Sequence, residues 1–175
     1  MHIFLQGPRN IGKSTVIQKT LQMLENATKL TIAGFFTWNG GETDPHIYMR
    51  AAEKNVGKKT YRIASYNPQG GGMNCDISVF DNIGVRLLNE NINANLIIMD
   101  ELGFLESDAN LFKQTVMEKV MGETMIFGVL RLGNVPWHET IKLAESVTIY
   151  DINELNRDAM PQMLFDIIYT QMLRK

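Results

Sequence analysis

The run Gly7-Pro8-Arg9-Asn10-Ile11-Gly12-Lys13-Ser14 follows the apolar segment Ile3-Phe4-Leu5 and precedes a helical pattern of Val16, Ile17, Leu21 and Leu24. A GxxxxGK[ST] pattern between a strand and a helix constrains this chain more than any other feature. It demands a glycine-permissive loop whose backbone N–H groups converge on an anion. The helix that follows adds its free first-turn N–H groups and the positive end of its dipole. The spacing therefore predicts a triphosphate cradle running from Gly7 to Thr15, with Lys13 reaching the β and γ phosphates and Ser14 ligating Mg²⁺. Arg9 and Asn10 either contact phosphate or occupy variable loop positions.

With 175 residues the chain is long enough to bury one good core, which predicts a single domain over residues 1–175 without a linker. Its 45% hydrophobic and 21% charged residues are globular values, and no stretch approaches the roughly 18 consecutive apolar residues of a membrane span. A net charge of −2 argues against a dedicated nucleic-acid surface. Cys75 is the single cysteine, so it forms neither an internal disulfide nor a spaced Cys/His metal cage, and it reads as structural or incidental. Met1 leads directly into the first predicted strand without an export segment, and these features together predict a cytoplasmic protein. Lys54, Lys58, Lys59 and Arg62, in a region that also holds Arg50, form the densest basic cluster, either a solvated helix end and loop or a patch facing the substrate.

Short β-rich runs alternate with longer amphipathic ones, the pattern of a mostly parallel sheet flanked by helices on both faces. Strands are predicted over residues 2–6, 30–37, 60–65, 95–99, 124–130 and 146–149. Helices are predicted from 13 to about 26, over 78–91, 105–121 and 138–145, and toward the C-terminus. Pro161 suits the first turn of the last helix, with Asp158 placed to cap it. The glycine-rich run Asn67-Pro68-Gln69-Gly70-Gly71-Gly72 is either a surface turn or a lid over substrate.

Leu96-Ile97-Ile98-Met99-Asp100-Glu101 supplies the second chemical signal: four apolar residues of a buried parallel strand ending in two carboxylates. Charges at that end lie beside the ligand crevice of such a sheet. Asp100 is assigned to the magnesium ion, through its water shell, and Glu101 to polarising an attacking water. The paired acids favour hydrolysis over transfer, although the same Glu also suits a proton acceptor in a small-molecule kinase.

Gly34-Phe35-Phe36-Thr37, Asp100-Glu101-Leu102-Gly103-Phe104-Leu105-Glu106 and Asn156-Arg157-Asp158, together with the phosphate loop, resemble the successive motifs of the cancer-related nucleoside-triphosphatase family of P-loop proteins. The four motifs span nearly the whole chain, and Asp-Glu-x-Gly-x-x-Glu is the most specific. The resemblance implies a P-loop NTPase domain that hydrolyses ATP, GTP and other nucleoside triphosphates with Mg²⁺. The chain departs from the pattern after Thr37. Instead of a short charged segment containing Arg it carries Trp38-Asn39-Gly40-Gly41-Glu42, and the nearest Arg is Arg50.

Several roles stay open between two readings. Arg157, after the last strand, either stacks on or bonds a nucleotide base or is a structural Arg paired with Asp158 or a helix end. Arg131 is either a built-in arginine finger at the γ-phosphate or a salt-bridge partner. Glu106 either supports Glu101 and the metal's surroundings or is an acid favoured by a helix N-terminus. Gly103 is expected to provide a sharp turn after Glu101. Phe4, Phe35, Phe112 and Phe127 are expected in the core. Trp38, Tyr48 and Trp137, expected in loops, either cover a base or do not, and no metal site or triad is assigned to His2, His46 or His138. The reading is thus a Mg²⁺-dependent nucleoside triphosphatase giving nucleoside diphosphate and phosphate. Its rivals are a kinase with an acceptor pocket between Trp38 and Asn74 and a nucleotide-switched binding protein with an unidentified protein partner.

Overall fold

In the computed structural model, which describes residues 1–53, 59–67 and 69–174, one eight-stranded sheet organises the chain. Its strands are β1 His2–Gln6, β2 Ile32–Asn39, β3 His46–Ala51, β4 Thr60–Asn67, β5 Gly72–Cys75, β6 Leu96–Leu102, β7 Met125–Leu130 and β8 Val147–Asp151. They lie in the order β5-β4-β3-β2-β6-β7-β1-β8. Pairings from β2 through β6, β7 and β1 to β8 are parallel, whereas β2, β3, β4 and β5 form an antiparallel wing. Strands β1, β6 and β7 are buried on both faces, which explains their unbroken apolar runs.

Helices α1 Lys13–Ala27 and α6 Met160–Leu173 cover one face. Val16, Ile17, Leu21 and Leu24 of α1 pack there with Leu164 and Ile168 of α6 against Ile3, Leu5, Ile98 and Phe127. The opposite face is covered by α2 Ile77–Val79, a π-helical turn Phe80–Gly84, α3 Val85–Asn89, α4 Asn110–Val120 and α5 His138–Lys142. There Phe80, Leu88, Phe112, Val116 and Ile141 meet Phe4, Phe35, Ile97 and Ile126. Phe112 anchors this layer, 5.7 Å from the Phe35 ring and 5.4 Å from Phe80. The expected arrangement of helices on both faces is therefore what the chain adopts.

Gly34 lets β2 approach β6. Its φ is +95°, and a Cβ there would lie 2.0 Å from the carbonyl oxygen of Ile98.

Several expectations change. Strands β3 and β5 were not anticipated, and Trp38 and Tyr48 lie in strands rather than loops. The glycine-rich run is the hairpin turn between β4 and β5: Asn67 Oδ1 accepts from the N–H groups of Gln69 and Gly70, and Gly71 N–H donates to Asn67 O; Pro68 lies outside the described residues. Helix α4 begins at Asn110 rather than at 105. Pro161 does occupy the first turn of α6, but Asp158 does not cap it, because the capping position is Ala159 and makes no side-chain bond. Of the basic cluster, Lys54 and Lys58 lie outside the described residues; Lys59 sits 5.2 Å over the Tyr61 ring and Arg62 approaches His46.

Candidate active site

The strand order puts the C-terminal ends of β1, β7, β6 and β2 side by side, and a cavity of about 890 Å³ opens there. Arg9, Asn10, Gly12, Lys13, Ser14 and Thr15 line it from the phosphate loop, Asp100 and Glu101 from β6, and Arg131 from just beyond β7. This is the crevice in which open α/β sheets hold ligands. Gly7, Pro8 and Ile11 form the loop behind that wall. Gly7 has φ +154°, and a Cβ on it would lie 2.5 Å from the carbonyl oxygen of Ile152.

Lys13 is buried, and its Nζ donates to the carbonyl oxygens of Gly7 and Pro8, both at 2.9 Å. The ammonium is thus folded back over its own loop, within reach of an anion seated on the loop amides. Ser14 Oγ donates to Asp100 Oδ1 at 3.2 Å, joining two motifs 86 residues apart in sequence. Burial pushes the Asp100 carboxyl up to about 7. The Ser14 hydrogen bond opposes this shift, the Glu101 charge reinforces it and Lys13 counteracts it. A hydroxyl and a buried carboxylate are hard oxygen donors. They suit Mg²⁺, which takes one or two protein ligands alongside water and phosphate oxygens. Among the described residues no group of three or more His, Cys, Asp or Glu could hold a metal ion.

A bulge interrupts the β6–β7 register between Met99 and Leu102, at the two acids. Bulges re-aim side chains at the ends of strands, and here both consecutive carboxylates reach the cavity. Glu101 is held by its backbone N–H, which donates to Thr37 Oγ1 at 3.1 Å. The Thr of Gly-Phe-x-Thr thus positions the acid on the neighbouring strand, a function the sequence reading left without a residue.

The turn after β6 is built around Glu106. This carboxylate is fully buried and accepts from the Gly103 N–H at 2.5 Å. Burial raises its pKa to about 7, with hydrogen bonds holding the shift back. Glu106 lies four residues ahead of α4, in the turn rather than in the helix. Gly103 is not at a positive φ, so its expected role as a glycine-only bend gives way to one of space: a Cβ would meet Arg131 Cδ at 3.2 Å. Its carbonyl accepts from Trp137 Nε1 at 2.9 Å, which ties the turn to the start of α5. Trp137 faces this turn instead of the cavity lining.

Arg131 lies 4.5 Å over the Phe104 ring and makes no ion pair among the described residues. Arg157 is elsewhere. It is exposed in the turn between β8 and α6, outside the cavity lining, and forms no ion pair with Asp158. Cys75 is half-buried, and burial pushes its thiol up, as suits an unreactive side chain.

The cavity also reaches Phe36, Trp38 and Arg50, where β2 meets β3. No role was assigned to Phe36 or to an Arg50–Trp38 pairing, because the pairing depends on β3. The signal available was the alternation of Tyr48 and Arg50 with Ile47, Met49 and Ala51.

Known proteins resemble this chain over nearly its whole length. The chain is 28% identical to nucleoside-triphosphatase THEP1 of Thermotoga petrophila, over 97% of this chain and 92% of that protein. Its fold matches the crystal structure of THEP1 from Aquifex aeolicus with a TM-score of 0.77 and 18% identity, covering 96% of this chain and 99% of the other. The solution structure of a human cancer-related nucleoside triphosphatase matches with a TM-score of 0.71 and 19% identity, over 95% and 96% of the two chains. A family model described as NTPase matches residues 2–165, nearly the whole chain, and the protein belongs to that NTPase family.

Proposed function

We infer that this chain is a nucleoside-triphosphate phosphohydrolase that releases phosphate from ATP, GTP and other nucleoside triphosphates, with Mg²⁺ as cofactor. The observation that carries the reading is the contact of Ser14 with Asp100 beside Glu101, which brings a phosphate loop and a paired-acid strand to one cavity. The loop amides and Lys13 bind the triphosphate and offset its charge. Ser14 and Asp100 would hold the cation, which would help neutralise the charge of the triphosphate. Glu101, fixed by Thr37, orients a water in line with the γ-phosphate and accepts its proton. Arg131, beside the turn that follows Glu101, supplies positive charge to the same cavity. No helix among the described residues is long and apolar enough to cross a membrane. Residence in the cytoplasm is part of the same proposal.

Phosphate release from ATP, GTP, CTP and UTP with Mg²⁺ and no acceptor tests the assignment. Lys13→Ala and Glu101→Gln are each expected to lose about 10²-fold or more in turnover, the scale of removing one preorganised electrostatic or proton-transfer group. Tight nucleotide binding by the native protein without release would overturn hydrolysis in favour of transfer or switching.

A further inference from the structure

The antiparallel wing sets aromatic rings and two arginines on one face, part of which lines the cavity. In the β2–β3 ladder Phe36 faces Arg50 and Trp38 faces Tyr48; in the β3–β4 ladder Arg50 faces Thr60 and Tyr48 faces Arg62. Residues directly opposite in an antiparallel pair point to the same side, so all six share one face. The Arg50 guanidinium lies 5.6 Å from the Phe36 ring centre and 5.8 Å from that of Trp38. Trp38 stacks on Tyr48, with centroids 5.6 Å apart and ring planes 24° from parallel.

A polar network fixes this stack. Asp44 accepts from His46 Nδ1 at 2.5 Å and from the Tyr48 hydroxyl at 2.8 Å, while Arg62 approaches His46 Nε2 at 3.4 Å. Tyr48 is thereby held at both its ring and its hydroxyl, and Trp38 rests on a fixed support. Arg50 is exposed and has no carboxylate partner among the described residues. Phe36, Trp38 and Arg50 line the same cavity as Lys13 and Ser14.

An exposed indole flanked by an uncompensated guanidinium, in one cavity with a phosphate loop, has the chemistry of a base-stacking platform. Every nucleobase offers a π face to an aromatic ring, and an arginine plane adds a cation–π contribution. We propose that Trp38 and Arg50 bind a nucleobase, with Phe36 and Tyr48 supporting them. The inference rests on the nucleoside-triphosphatase reading and deepens it by locating base recognition in the wing rather than at Arg157. Stacking gives affinity without reading a base edge, so it accommodates several bases. The base belongs either to the triphosphate on the loop or to a second nucleotide, and the two sources share this chemistry.

The test compares binding of a non-hydrolysable β,γ-imido analogue of ATP with binding of inorganic tripolyphosphate, both with Mg²⁺, by titration calorimetry. Trp38→Ala and Arg50→Ala are each expected to weaken the ATP analogue about tenfold, the scale of one lost base stack. The loss should be confined to the ligand that carries a base, and Trp38→Phe should recover most of it. Near-UV circular dichroism of each variant checks that the wing remains folded. AMP is then titrated onto protein saturated with tripolyphosphate or with the ATP analogue. Binding only beside tripolyphosphate assigns the platform to the triphosphate's own base, and binding beside both assigns it to a second nucleotide. Native affinity for the ATP analogue and for AMP in both folded alanine variants would overturn the proposal, as would a selective loss in Arg157→Ala instead. Failure of the underlying reading looks different: the native protein would not bind tripolyphosphate, or Lys13→Ala would bind it equally well.

Discussion

Gly34 shows how narrowly single residues set this site. Its carbonyl accepts from the Ala52 N–H at 2.9 Å, and its missing side chain leaves room for the Ile98 carbonyl. Ile98 lies two residues ahead of Asp100, so displacement of β2 from β6 also displaces the acids. Gly34→Ala combines a left-handed backbone with a clash against main-chain atoms, neither of which a rotamer change relieves. We expect it to destabilise the fold by about 3 kcal/mol or more, read from urea unfolding. A nearly native midpoint would show that the sheet accommodates the extra carbon. At this scale the phosphate loop was the most legible part of the sequence, because its chemistry is compressed into eight adjacent residues. Thr37 belongs to a recognisable motif, but its bond to Glu101 crosses 64 positions and emerges only when β2 and β6 pair.

Among elements, the two-sided strands announced themselves and the wing did not. Strand β1 matched residue for residue, since a buried run bounded by a glycine loop has few other solutions. Strand β3, His-Ile-Tyr-Met-Arg-Ala, alternates regularly but is short and mixes polar and aromatic residues on its outward face, and the register with β4 shifts opposite Ile47 and Tyr48. Strand β5, Gly-Met-Asn-Cys, lacks β-branched residues altogether. Because β3 was missed, so was the neighbourhood of Trp38 and Arg50. Helix α4 offers a related case: its own capping residue is Ala109, and the acceptor is borrowed from the π-helical turn, where Asp81 Oδ1 accepts from the Phe112 N–H at 2.9 Å. A cap supplied from 31 residues upstream has no local sequence signature. Asp81→Ala should lower stability by about 1 kcal/mol, the usual value of a helix cap, seen as a fall in Tm without loss of phosphate release. An unchanged Tm would show that water replaces the carboxylate at no cost.

Over the whole molecule, three buried titratable groups pull stability in opposite directions with pH. Burial lowers His138 to about 4 from an ordinary 6.5, with Lys142 acting in the same sense and Glu139 against it. Neither ring nitrogen of His138 has a hydrogen-bond partner among the described residues. The unfolded chain therefore takes up this proton first, and the histidine removes stability as pH falls below 6.5. Asp100 and Glu106 have the other sign. Their folded values near 7 exceed the ordinary carboxylate range, so they favour the folded state at acid pH and lose that advantage as pH rises toward 7. The clean measurement is thus a difference. Relative to the native protein, His138→Phe should gain about 2 kcal/mol of unfolding free energy between pH 7 and pH 5. A gap that stays constant with pH would mean that the ring is protonated in the fold as readily as in the unfolded chain.

The strand order carries one more consequence. Since β2 is the seam at which parallel pairing gives way to antiparallel, the paired acids of β6 lie on one side of it and strands β3, β4 and β5 on the other. On the base-platform proposal, exchanging the segment from Gly40 to Cys75 for another three-stranded one that keeps the buried Met49, Ala52 and Ile63 is expected to change which ligands bind, through loss of Arg50, while leaving the phosphate loop intact.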